Sequence, residues 1–138
     1  MTVLQDIEEI VKRLVAKYRI TAVILFGSRA RGDWGPWSDY DLLIIGDFEK
    51  KYVDRIGDIL ELLSDIKIPV EPHPYTLEES LKMLRKGNPL IIDAIECGKV
   101  LYRDTDYEEL LKAFLKLKKN GMRRSNTSII LPEATGYP

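Results

Sequence analysis

The chain has 138 residues, 45% of them hydrophobic and 31% charged, with 21 basic against 22 acidic side chains. That length suits one compact domain and is too short for a catalytic domain joined to a large companion. The balanced charge gives no bulk basic field, so a long nucleic acid held through its phosphates is not expected, and with Cys97 the single cysteine an internal disulfide is excluded.

The N-terminal MTVLQDIEEIVKRL lacks a basic start followed by an apolar stretch, and no run of about eighteen apolar residues occurs. A cytoplasmic protein without a membrane span is therefore expected. Val3, Ile7, Ile10, Val11, Leu14, Val15 and Tyr18 recur every three or four residues, which predicts a helix over 3–18. Thr2 with Gln5 forms a capping box at its start. Ile20 to Phe26 is a β-branched run ending at Gly27, the pattern of a buried strand. Gly32, Gly35 and Pro36 break the segment after it, leaving room for one helical turn from Ser28 to Arg31. Tyr40 to Ile45 supplies a second strand, closed by Gly46.

Val53, Ile56, Ile59, Leu60 and Leu63 then predict a helix over roughly 50–64. Residues 68–75, IPVEPHPY, carry three prolines, so a strand there must lie at a sheet edge. Thr76 with Glu79 caps a helix that stops near Gly87, and Asn88-Pro89 opens another that ends before Gly98. Cys97, among Ile91, Ile92, Ala94 and Ile95, reads as a buried thiol. Lys99 to Arg103 is a last strand, and Thr105 with Glu108 opens a last helix to about Lys119. This alternation predicts an α/β (α+β) fold, a small mixed sheet covered by helices. Residues 1–120 form the domain, and 121–138 a flexible or partner-binding tail whose Ile129, Ile130 and Leu131 are available for docking. The basic run Lys112, Lys116, Lys118, Lys119, Arg123 and Arg124 reads as a solvated face, with an RNA or acidic-partner contact as the alternative.

The chemistry concentrates in GSRARGDWGPWSDYDLLIIG, residues 27–46. In a strand Asp39 and Asp41 share a face, with Cα atoms about 7 Å apart. Two carboxylates that close repel unless water or a cation separates them, and Mg²⁺ uses one or two carboxylates while leaving positions to substrate phosphates. Gly27 lets the backbone approach a bulky ligand, and Ser28 with the amides after it suits an anion. Arg29 and Arg31 follow Ser28 closely enough to reach a triphosphate, with surface ion pairing as the alternative for each. Trp34 and Trp37 would stack on a base or a partner, or pin the loop to the core.

Gly27-Ser28, ten residues, then Asp39-Tyr40-Asp41 resembles the signature of the DNA polymerase β-like nucleotidyltransferase superfamily. GSRARGDWGPWSDYDLLI looks like the minimal nucleotidyltransferases often paired with a HEPN-type helical protein. The resemblance implies the polymerase β-like fold and transfer of a nucleoside monophosphate from an NTP, ATP above all, to a hydroxyl. By that resemblance the acceptor would be a tyrosine of a HEPN-type toxin and the protein its antitoxin. It implies two Mg²⁺ ions, with Mn²⁺ as the alternative, held by Asp39, Asp41 and a third acid. Glu71 in IPVEPHPY is that candidate, where many relatives carry Asp. His73, two residues on, would share its face and could contact the acceptor or a phosphate, although a lone histidine between prolines more often serves the surface or the structure. Gly27, Ser28, Arg29 and Arg31 are the implied nucleotide contacts. The alternative function is a non-catalytic module that neutralises its partner by occlusion. The acceptor and the oligomeric state, a homo-oligomer included, stay open at this level.

Overall fold

All seven residues of strand β1 (Ile20–Phe26) are buried, which sets it at the centre of a four-stranded sheet. The computed structural model describes residues 2–124 and 129–132. The sheet contains β1, β2 (Tyr40–Gly46), β3 (Val70–Tyr75) and β4 (Lys99–Arg103) in the order β3-β2-β1-β4. β1 runs antiparallel to β2 and β4, whereas β2 and β3 are parallel. The sheet is therefore mixed, and β3 lies at its edge as its prolines require. Pro72 and Pro74 are two apart, so the donors they lack point to the same edge of the strand, and β3 keeps its register with β2 from Val70 to Tyr75.

Helices cover both faces. On one, α1 (Val3–Lys17) and α3 (Tyr52–Leu62) bury Ile10, Leu14 and Ile59 against Val23, Leu25, Leu42 and Ile44. On the other, α4 (Leu77–Arg85), α5 (Pro89–Cys97) and α6 (Tyr107–Lys119) bury Leu84, Ile91, Ile92, Leu110 and Phe114 against Ala22, Ile24, Leu43 and Ile45. Alternate residues of each strand feed alternate cores. Capping boxes start α1 and α4, where Thr2 and Thr76 accept from the amides of Gln5 and Glu79 and those side chains accept in return. Asn88 Oδ1 accepts from the amides of Leu90 and Ile91 to start α5. The turn of helix after Gly27 is α2 (Ser28–Arg31).

One expectation is reversed. Cys97 is exposed, because the buried stripe of α5 is Ile91, Ile92 and Ala94, and at about 100° per residue Cys97 falls on the opposite side. In the segment 121–138, Met122 is 5% exposed within the core of α4, α5 and α6. There β5 (Arg123–Arg124) pairs antiparallel with β6 (Ile129–Ile130), Ile129 packs on the same core, and Leu131 lies against Gly87. Residues 125–128 and 133–138 of that segment lie outside the described residues. Among the described residues, no helix is long and apolar enough to cross a membrane.

Candidate active site

The site forms where β1 ends and β2 and β3 begin. Phe26 pairs with Asp41 across the antiparallel ladder, and Asp41 pairs with Glu71 across the parallel one. Asp41 and Glu71 thus stand side by side on one face of the sheet, the face whose next members in β2 are Leu43 and Ile45. The tight β1–α2 bend is built by Gly27, with φ 76° and ψ −158°, a conformation confined to glycine. Space imposes the same choice, since a Cβ at this position would collide with Asp41 Oδ2. The absence of a side chain at residue 27 is what admits the Asp41 carboxylate.

Ligand atoms of Asp41, Glu71 and His73 all lie within 4.8 Å of one another. His73 Nε2 is 3.3 Å from Asp41 Oδ1. Among the described residues, neither Asp41 nor Glu71 forms an ion pair with a lysine or arginine, and the ionisable group that pairs with Asp41 is an imidazole. The electrostatic consequence appears on Glu71, whose carboxyl is pushed above its ordinary range. Its hydrogen bond to Asp41 is the main cause, burial and the Asp41 charge add to it, and His73 opposes it. Asp39 is exposed just before β2 and outside the 4.8 Å group, yet near enough for its charge to raise Glu71 further.

The arginines after Ser28 do different things. Arg29 lies between the rings of Trp34 and Tyr40, its guanidinium carbon 4.2 and 4.4 Å from their centroids, and its Nε donates to the Ser38 carbonyl at 3.1 Å. It holds the loop 32–39 against the buried ring of Tyr40. Ser38 Oγ accepts from the Gly35 amide at 3.0 Å and tightens the same loop. Trp37 at its tip is 84% exposed. Arg31 is half exposed and bridges Asp33 at 3.3 Å and Asp93 of α5 at 3.7 Å.

Of the residues singled out by the sequence, Gly27, Asp41 and Glu71 come together in the structure. The contact of His73 with Asp41 is what sequence reasoning missed. Its signal was the spacing of His73, two residues beyond Glu71 and therefore on the same face of a strand.

The donor set suits a hard divalent cation. A carboxylate set against a second one that raises its proton affinity, as Asp41 raises that of Glu71, is the arrangement a cation relieves, and oxygen donors are what Mg²⁺ and Mn²⁺ take.

Comparison with known proteins agrees. Residues 4–117 match the family model described as nucleotidyltransferase domain. Two candidate protein adenylyltransferases of Methanocaldococcus jannaschii are similar in sequence. One is 53% identical over 49 residues, 34% of this chain and 49% of that protein. The other is 31% identical over 104 residues, 70% of this chain and 71% of that protein. The chain thus spans about half the length of the first and more than two thirds of the second. Among solved structures, a toxin–antitoxin with AMP-PNP superposes with a TM-score of 0.54 at 17% identity, over 82% of this chain and 87% of that one. A tri-AMPylated Shewanella oneidensis HEPN toxin in complex with MNT antitoxin gives 0.51 at 15%, over 84% and 87%. At those identities the likeness is one of fold.

Proposed function

Because the chain belongs to the nucleotidyltransferase domain family, we propose that it transfers AMP from ATP to a tyrosine hydroxyl of a helical HEPN-type toxin, and so serves as the antitoxin. The observation that carries this reading is the register pairing of Asp41 with Glu71 beside the side-chain-free Gly27. The adenylyltransferase names of the sequence relatives and the toxin–antitoxin complexes of the same fold support it.

Asp39, Asp41 and Glu71 would hold the Mg²⁺ ions, two in number by family likeness, with Mn²⁺ as substitute. Bound there, the ions supply neutralisation of phosphate charge and lower the barrier to attack at the α-phosphorus. The bend at Gly27 and Ser28 receives the triphosphate oxygens, and Arg31 would leave its ion pairs with Asp33 and Asp93 to join them. Arg29 contributes by fixing the loop that walls the site, since its guanidinium is already engaged by two rings and a carbonyl. The acceptor oxygen bonds to the α-phosphorus as the bond to the bridging oxygen breaks, and pyrophosphate leaves with that electron pair. Glu71, as the third acid, takes the hydroxyl proton.

The test is co-expression with the candidate helical partner, followed by intact-mass spectrometry of the partner. Wild type should add the mass of one or more AMP groups to tyrosine, and the Asp39→Asn/Asp41→Asn double variant none. A partner neutralised equally by both proteins and modified by neither would replace catalysis with occlusion.

A further inference from the structure

Asp41 is bracketed by two groups that leave its carboxylate little freedom. On one side, Oδ2 fills the space a side chain at Gly27 would occupy. On the other, Oδ1 faces His73 Nε2 at 3.3 Å. His73 stands opposite Leu43 in the parallel ladder, two pairs deeper along β3 than the Asp41–Glu71 pair and on the same face. Its ring meets the ring of Phe26 edge-on, with centroids 5.1 Å apart and planes at 61°. Phe26 is itself 7% exposed, so the imidazole is held by a core residue rather than by solvent, and its side chain is 16% exposed.

We infer that His73 is a positioning residue: by donating from Nε2 to Asp41 Oδ1, it fixes the Asp41 carboxylate in the orientation that receives a divalent cation. The inference rests on the proposed nucleotidyl transfer and adds to it a residue that touches neither nucleotide nor acceptor. Its physical basis is the repulsion between Asp41 and Glu71. Without a restraint, two adjacent carboxylates turn away from each other, and binding a cation then requires reassembling them. An N–H held in the wall behind Asp41 removes that cost for one of the two. The restraint matters more because Glu71 is one methylene longer than aspartate and brings an extra rotatable bond to the site. His73 lies on the inner side of Asp41, where a donor orients the carboxylate while the oxygen beside Gly27 remains turned toward the bend.

Full-length protein is titrated with Mn²⁺ alone and free ion is followed by electron paramagnetic resonance. The variants are His73→Phe, which keeps a ring against Phe26 and removes the donor, His73→Gln, which keeps a donor at similar reach, and Asp41→Asn as reference. His73→Phe should weaken Mn²⁺ binding by about tenfold or more, the usual loss on removing an outer partner of a ligand, and His73→Gln should stay within about threefold of wild type. Affinity unchanged in His73→Phe overturns the inference and leaves nucleotidyl transfer standing. Wild type that binds Mn²⁺ no better than Asp41→Asn overturns both. A second measurement needs no variant, because His73 is the only histidine in the chain. Nitrogen-15 spectra of the imidazole should show the proton on Nε2 before and after addition of Mg²⁺. A proton on Nδ1 alone, or loss of the Nε2 proton when the cation is added, overturns the inference and makes His73 either a bystander or a ligand.

Discussion

Strand β3 meets charged side chains at both of its ends, and the two meetings differ in kind. At the C-terminal end Arg55 of α3 is 8% exposed and donates to Glu79 of α4 through both terminal nitrogens, at 2.7 and 3.2 Å. It also donates to the carbonyls of Lys50 at 2.7 Å and Pro74 at 3.3 Å. The guanidinium is satisfied by a carboxylate and two carbonyls, and Glu79 doubles as the capping-box residue of α4. This cluster ties two helices to the strand between them. At the N-terminal end Glu71 meets Asp41, like charge against like, beside a glycine that makes room for them. Opposite charges that satisfy one another build structure, whereas like charges kept together by the fold imply a ligand that the chain itself does not supply.

The contrast is broken most forcefully at the acidic end. Asp39→Asn with Asp41→Asn should lower AMP transfer by at least about a thousandfold, the several kcal/mol that bound cations supply to phosphoryl chemistry. Its thermal melt without metal should be unchanged or higher, because a repulsion has been removed. The ion-pair end should respond in the opposite sense. Glu79→Ala leaves the Arg55 guanidinium on its two carbonyls and removes the capping-box side chain of α4; with Glu79 43% exposed, it should cost ~2 kcal/mol in urea unfolding, while activity per folded molecule is kept.

Gly27→Ala touches both properties. A side chain in this backbone conformation costs ~2 kcal/mol, and the displaced Asp41 carboxylate should cost activity as well, which parallel urea and transfer assays would register. Arg29→Ala should cost ~1 kcal/mol through the lost ring contacts. Its signature is a red shift in tryptophan emission from Trp34, which is 51% exposed, against the background of Trp37, already at 84%.

The smallest effect is one of pH. Arg55 holds the Glu79 carboxyl below its ordinary range, with burial opposing and the Thr76 amide assisting. A carboxyl lowered on folding adds stability above its unfolded pKa, and that gain is lost as pH falls through the folded value. The stability advantage of wild type over Glu79→Gln should therefore hold at neutral pH and shrink from about pH 4.3 downward, as urea titrations across that range would show.

Much of this was legible in the sequence because its causes are local. Capping boxes at Thr2 and Thr76, the proline after Asn88 and the β-branched run from Ile20 all act within a few residues, and each element appears where they place it. Gly27 and Asp41 were legible for a further reason, since an antiparallel strand pair returns the chain to the same spot. What escaped depended on long-range register. His73 meets Asp41 only because β2 and β3 pair in parallel with Asp41 opposite Glu71, and no local pattern sets that alignment. For Arg29 the sequence offered a phosphate contact or a surface ion pair, and its place over the rings of Trp34 and Tyr40 depends on how the loop folds. Arg55 drew no reading from the sequence, although its position four residues before Ile59 on the buried side of α3 was a usable sign. Cys97 was misjudged because its apolar neighbours in sequence lie on another side of α5.

The central claim is that the acidic end of the sheet transfers a nucleotide and leaves pyrophosphate. Parallel incubation of the protein and its helical partner with ATP labelled at the α- or the γ-phosphate, in Mg²⁺, tests it most directly. The α-label should pass to the partner and the γ-label should emerge as pyrophosphate, with both lost in Asp41→Asn. A γ-label on the partner, or an α-label transferred as well by Asp41→Asn as by wild type, would contradict the account.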